Sequence, residues 1–168
     1  MCFDLIVFDL DGTLIDSKLD LALSVNAARK NAGMSPLDHE LIYSYVGNGA
    51  PTLIHRSLGP EASQEQLKLA LDFFYDYYRD HMLDNTVLYP GVHQVLDRLL
   101  DANRTLSILT NKPVRFSSLL IDRLGLKAHF QRIYGGNSFK SKKPDPYGLN
   151  RLIAGLGISK ERTLMLSL

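Results

Sequence analysis

Two aspartates separated by one residue stand at the end of a short apolar run, in the segment Asp9-Leu10-Asp11-Gly12-Thr13-Leu14. Residues 3–10 read Phe-Asp-Leu-Ile-Val-Phe-Asp-Leu, too short for an ordinary helix and apolar enough for a buried parallel strand. Carboxylates two positions apart at such a strand end point toward one crevice as the chain turns. Holding two like charges together is costly unless a cation or a chemical task requires it. Two later segments supply complementary groups. Leu-Ser-Ile-Leu-Thr-Asn at 106–111 is an apolar strand that ends in the hydroxyl of Thr110 followed by Asn111, and Lys143-Pro144-Asp145-Pro146 places a lysine before a fixed turn.

The elements that must position these groups follow from periodicity. Residues 17–32 carry Leu21, Val25 and Ala28 at helical spacing, with Ser17 as N-cap and Gly33 just past the end. A second helix is expected from Ser35 with Pro36 in its first position, and a long amphipathic helix over 61–82 is marked by Leu67, Leu71, Phe74 and Tyr78. After Tyr89-Pro90-Gly91 the texture alternates: helix over 92–103, strand over 105–109, helix over 117–124, strand over 132–134, helix over 146–156, strand over 163–168. Alternation of this kind predicts an α/β fold with a doubly wound parallel sheet. Residues 1–15 and 86–168 form the expected core, and 16–85 an all-helical insertion that starts directly after strand one. Ligands in open α/β sheets bind outside the carboxyl ends of the strands, so an insertion at that place is expected to act as a lid.

Composition excludes several classes. The 168 residues carry a formal net charge of +1, 22% charged residues and one cysteine, so neither a nucleic-acid footprint nor a polybasic membrane segment is present. Cys2 cannot form an internal disulfide, and Met1 leads into the first strand without a signal-like region, which predicts a cytoplasmic setting. No apolar run approaches the ~20 residues needed to cross a bilayer. The five histidines, at 39, 55, 81, 93 and 129, show no metal-ligand spacing and read as structural or solvated. Asp16 and Asp20 read as first-turn acids that complement a helix dipole, and the aromatic residues from Phe73 to Tyr78 as packing between helices. Lys140 and Lys142 read either as aids to an anionic substrate or as an exposed basic turn.

Taken in order, these segments resemble the motifs of the haloacid dehalogenase superfamily. Asp9 to Leu14 is similar to its first motif, 106–111 to the second and Lys143-Pro144 to the third, while the helical insertion is similar to the cap of the phosphoglycolate phosphatase-like branch. Tyr45-Val46-Gly47-Asn48-Gly49-Ala50 resembles that branch's cap loop and Gly135-Gly136-Asn137-Ser138 a core loop. The resemblance implies a Rossmann-like core and a Mg²⁺-dependent phosphatase in which Asp9 is the nucleophile and Asp11 the general acid and base. It implies that Gly12 lets the backbone come close to the phosphate, that free amides of the turn with Thr13 form an anion nest, that Thr110, Asn111 and Lys143 bind the phosphate, and that Gly49 faces the substrate. Mg²⁺ would be held by the Asp9 carboxylate, the Asp11 backbone carbonyl and carboxylates of a fourth motif, the partner being a small phosphorylated metabolite such as 2-phosphoglycolate, with the protein a monomer or homodimer.

The family continues its last core strand into a Gly-Asp pair and a second aspartate. This sequence reads Thr163-Leu164-Met165-Leu166-Ser167-Leu168, so the fourth motif and the last strand or strands of the sheet are expected to be missing, and metal binding to be weakened. Alternatives are another helical-cap phosphatase or phosphosugar mutase of the superfamily, or an impaired remnant that only binds phosphate. A receiver-type phosphoacceptor domain shares the acidic pair, Thr and Lys, but lacks a large helical insertion after strand one.

Overall fold

The computed structural model describes residues 3–167. Cys2 and the final residue of the strand expected at 163–168 lie outside the described residues. Two compact units form, one from the chain up to Asp16 together with everything from Leu88 on, the other Ser17–Val87.

In chain order the elements are β1 (Leu5–Phe8), β2 (Ile15–Asp16), α1 (Lys18–Asn31), α2 (His39–Tyr43), α3 (Ala50–Leu58), α4 (Gln64–His81) and β3 (Val87–Leu88). They continue with α5 (Val92–Asp101), β4 (Thr105–Leu109), α6 (Val114–Arg123), β5 (Arg132–Tyr134), α7 (Tyr147–Leu156) and β6 (Thr163–Leu166). Four strands make one parallel sheet in the order β5-β4-β1-β6. β1 is central: Leu5 pairs with Thr105 on one side and Thr163 on the other, and Phe8 with Ile108 and Leu166. All four β1 residues are buried, which is why the run shows no polar alternation. Leu5, Val7 and Leu109 pack with Leu152 and Ile153 of α7. Full burial of each such side chain contributes about 1.5–3 kcal/mol. In a parallel sheet every strand ends on the same edge, so the loops after β1 and β4 leave from one side of the molecule.

In the helical unit the expected helix from Ser35 does not form there. Asn26 donates to the Leu37 carbonyl at 3.0 Å and accepts from the Leu37 amide at 2.8 Å, while the Arg29 Nε donates to the Ser35 carbonyl at 2.8 Å. These backbone groups are spent on α1 side chains, and α2 begins only at His39 behind Asp38, whose carboxylate accepts from the Glu40 amide. α4 starts at Gln64 rather than 61 because Ser63 and Gln66 form a reciprocal capping box. α3 was not anticipated, although its buried Leu53, Ile54, Ser57 and Leu58 lie at helical spacing.

Asp20 is more than a helix-dipole residue. It is 1% exposed, and its carboxylate accepts from the Asn85 amide and side chain and from the Thr86 amide and hydroxyl at 2.7–3.0 Å. The start of α1 is thereby tied to the end of the same unit. Among the described residues, no helix is long and apolar enough to cross a membrane.

Candidate active site

β1 delivers Asp9 to its carboxyl end, where the Asp9 amide donates to the Leu166 carbonyl at 2.8 Å. Each oxygen of its carboxylate is engaged. Oδ1 accepts from the Leu10 amide at 2.8 Å, and Oδ2 faces Lys143 Nζ at 2.5 Å and accepts from Ser167 Oγ at 3.0 Å. Ser167, which the sequence comparison with family motifs marks as a departure, is thus in direct contact with the first aspartate.

The turn after β1 is tight. Gly12 has φ +80°, a conformation open to glycine without strain, and its amide donates to the Ile15 carbonyl at 2.9 Å. The amides of Thr13, Leu14 and Ile15 all point at the Leu10 carbonyl, at 3.0–3.2 Å. The Gly12 and Thr13 amides are therefore engaged in closing the turn. What the turn does present is the Asp11 carboxylate.

Asp11 has a partner that sequence reasoning missed. Lys112 Nζ lies 2.9 Å from one carboxylate oxygen and 3.0 Å from the other. The Lys112 side chain is 4% exposed. A signal was available in Thr110-Asn111-Lys112, a cation two residues beyond the strand-end hydroxyl. Thr110 itself is buried, and its Oγ1 accepts from the Lys112 amide at 3.3 Å.

Asn111, expected to bind phosphate, applies both ends of its amide to the main chain of Lys143. Nδ2 donates to the Lys143 carbonyl at 3.1 Å, and Oδ1 accepts from the Lys143 amide at 3.0 Å. Its geometry is that of a clamp on the third motif. Behind it the loop after β5 braces the loop after β4: the Gly136 amide donates to the Lys112 carbonyl at 2.8 Å, and the Val114 amide donates to Asn137 Oδ1 at 2.8 Å. A Cβ on Gly136 would meet the Asn111 carbonyl oxygen at 2.1 Å, so glycine is required by close backbone approach.

Two sets of contacts thus lie at the ends of β1 and β4: Asp9 with Lys143 and its Asn111 clamp, and Asp11 with Lys112, whose amide bonds Thr110. Tyr89 borders the second. Burial first, then the charges of Asp16 and Asp11, push the Tyr89 phenol above its ordinary pKa and keep it a neutral donor. Gly49 lies in the separate helical unit, at the N-cap of α3 with φ +84°.

Among the described residues, no group of three or more His, Cys, Asp or Glu side chains is arranged to hold a metal. The oxygen donors at hand are Asp9 and Asp11, each engaged by an ammonium. Such a set suits a hard cation that keeps most of its water and binds through one or two carboxylates and substrate oxygens, not an all-protein cage.

The family description "haloacid dehalogenase-like hydrolase" matches residues 6–167. This chain belongs to that family. It is 40% identical to a phosphoglycolate phosphatase of Chromobacterium violaceum over 164 residues, 95% of this chain and 74% of the relative. It is 39% identical to a phosphoglycolate phosphatase of Vibrio vulnificus strain CMCP6 over 169 residues, 96% of this chain and 73% of the relative. Among solved structures, a "predicted phosphoglycolate phosphatase" from Haemophilus somnus 129PT superposes with a TM-score of 0.92 at 31% identity, covering 97% of this chain and 76% of that one. The α/β class, the parallel sheet and the membership expected from the motifs all agree with these matches.

Proposed function

We propose that this haloacid dehalogenase-like hydrolase cleaves phosphate monoesters of small acids, with 2-phosphoglycolate the first candidate because the relatives at 39–40% identity are phosphoglycolate phosphatases. One observation carries the reading: a nucleophile-competent carboxylate, Asp9, and a second carboxylate, Asp11, share a strand end with the buried ammonium of Lys143. Phosphoryl transfer asks for little beyond an in-line nucleophile and stabilisation of charge on the equatorial oxygens.

The Asp9 carboxylate attacks phosphorus while the bond to the leaving alkoxide breaks, and Asp11 supplies the proton that the alkoxide needs. Water then attacks the aspartyl-phosphate, Asp11 takes its proton, and inorganic phosphate leaves with Asp9 restored. Lys143 moves from Asp9 Oδ2 to the incoming phosphate oxygens, held in place by the Asn111 clamp, and the Thr110 hydroxyl donates to the same anion. Mg²⁺, held by the Asp9 carboxylate, the Asp11 backbone carbonyl and water, would supply further positive charge to offset the phosphate dianion. Gly49 is carried as a substrate residue on family resemblance alone.

The test is phosphate release from a panel of phosphomonoesters, measured with Mg²⁺ and with chelator, beside Asp9→Asn. Release from 2-phosphoglycolate that Asp9→Asn abolishes is the expected result. Release from no member of the panel above the Asp9→Asn background refutes the proposal.

A further inference from the structure

Two lysines serve two carboxylates at this site, and they are not equivalent. Lys143 lines a small crevice with Thr110, Asn111, Gly136 and Lys142. Lys112 is held differently. Its main chain is pinned, with the amide on Thr110 Oγ1 at 3.3 Å and the carbonyl accepting from the Gly136 amide at 2.8 Å. Its side chain is 4% exposed, and its ammonium sits symmetrically on both Asp11 oxygens. A cation so placed has no free path to an incoming ligand. Beside this pair the Tyr89 phenol stays neutral, raised by burial and by the charges of Asp16 and Asp11.

We propose that Lys112 is a positioning residue: it is the counter-ion of Asp11 whenever that carboxyl is ionised, as it is once its proton has gone to the alkoxide, and it neutralises and aims that carboxylate so that a phosphate can lie beside it while Lys143 meets the anion. The inference rests on the reading of the strand-end site of Asp9, Asp11 and Lys143 as a phosphate site. Its physical basis is repulsion. An uncompensated carboxylate ~6 Å from a bound anion, at an effective dielectric constant of about 20, weakens binding by roughly 100-fold, and partial exposure reduces this toward 10-fold. Lys112 would remove that penalty without touching the ligand, and by taking both oxygens it also fixes the plane of the carboxylate.

The experiment is calorimetric titration of inorganic phosphate into the wild-type chain, Lys112→Met, Asp11→Asn and the Lys112→Met/Asp11→Asn pair at one ionic strength, with thermal melts of all four. Lys112→Met is expected to weaken phosphate binding by about 10- to 100-fold and to lower the melting temperature, because it removes the ammonium from both oxygens of a half-buried carboxylate. The double variant is expected to bind phosphate within about threefold of Asp11→Asn alone and to recover the melting temperature, because no charge is left to compensate. A loss in Lys112→Met that persists at full size in the Asp11→Asn background overturns the inference, since Lys112 would then contact the anion itself or serve only the fold. Wild-type affinity in Lys112→Met overturns it too. If Lys112→Met does not fold, the charge-free double variant must, and its failure to fold overturns the inference. Absence of phosphate binding by the wild-type chain overturns the site reading and this inference together, whereas failed rescue overturns this inference alone.

Discussion

Asp20→Ala is expected to cost the helical unit about 2–4 kcal/mol. The carboxylate is 1% exposed and accepts from Asn85 Nδ2 at 2.8 Å, the Thr86 amide at 2.8 Å, the Thr86 hydroxyl at 2.7 Å and the Asn85 amide at 3.0 Å. These four donors do not count equally. Asn85 is exposed, so water replaces the lost acceptor there at little cost. Thr86 is 5% exposed, and its amide and hydroxyl would both be left buried without Asp20. An orphaned buried donor costs about 1–3 kcal/mol, and relief from burying a carboxylate offsets part of two such losses. Asp20→Asn keeps the shape but turns an N–H toward donors, so it should fall between wild type and alanine. The assay is urea unfolding followed by circular dichroism at 222 nm, with hydrogen exchange over residues 17–87 to place the loss in this unit. A cost below ~0.5 kcal/mol for Asp20→Ala with an unchanged m-value would refute the clamp, because no mechanism tied to those bonds is that small.

Two further outcomes follow from the site's support. Asn111→Ala releases the Lys143 main chain at both its amide and its carbonyl, so phosphate affinity measured by calorimetry should drop by up to about 30-fold, two net hydrogen bonds being worth roughly 1 kcal/mol each; an unchanged dissociation constant would show that Lys143 needs no clamp. Gly136→Ala should lower the melting temperature more than Gly12→Ala does, since its Cβ would sit 2.1 Å from a backbone oxygen that cannot yield, while Gly12 meets nothing within 4 Å and pays only the left-handed strain of about 1–2 kcal/mol; the reverse order in thermal melts would sink the packing argument.

The sequence by itself determined the α/β class and the strand ends that matter. The apolar run at Leu5–Phe8 and the hydroxyl-terminated run before Thr110 are local patterns, and parallel pairing of buried strands leaves few ways to arrange them. Asp9, Asp11 and Lys143 were legible for the same reason: residue type and spacing at a strand end or a proline turn are written in consecutive positions. Which partner each polar group takes is settled by the folded chain. Asp11 and Lys112 are 101 residues apart, Asp20 and Thr86 are 66 apart, and Asn111 meets Lys143 across 32 positions, so no local period announces these pairs. The same holds for the turn amides of Gly12 and Thr13 and for the backbone of 35–37, which sequence leaves open to a ligand or a helix and which long-range or turn-closing acceptors claim first. Apolar burial is non-directional and follows from pattern, whereas a hydrogen bond needs a particular atom at about 3 Å, and only the folded chain brings that atom there.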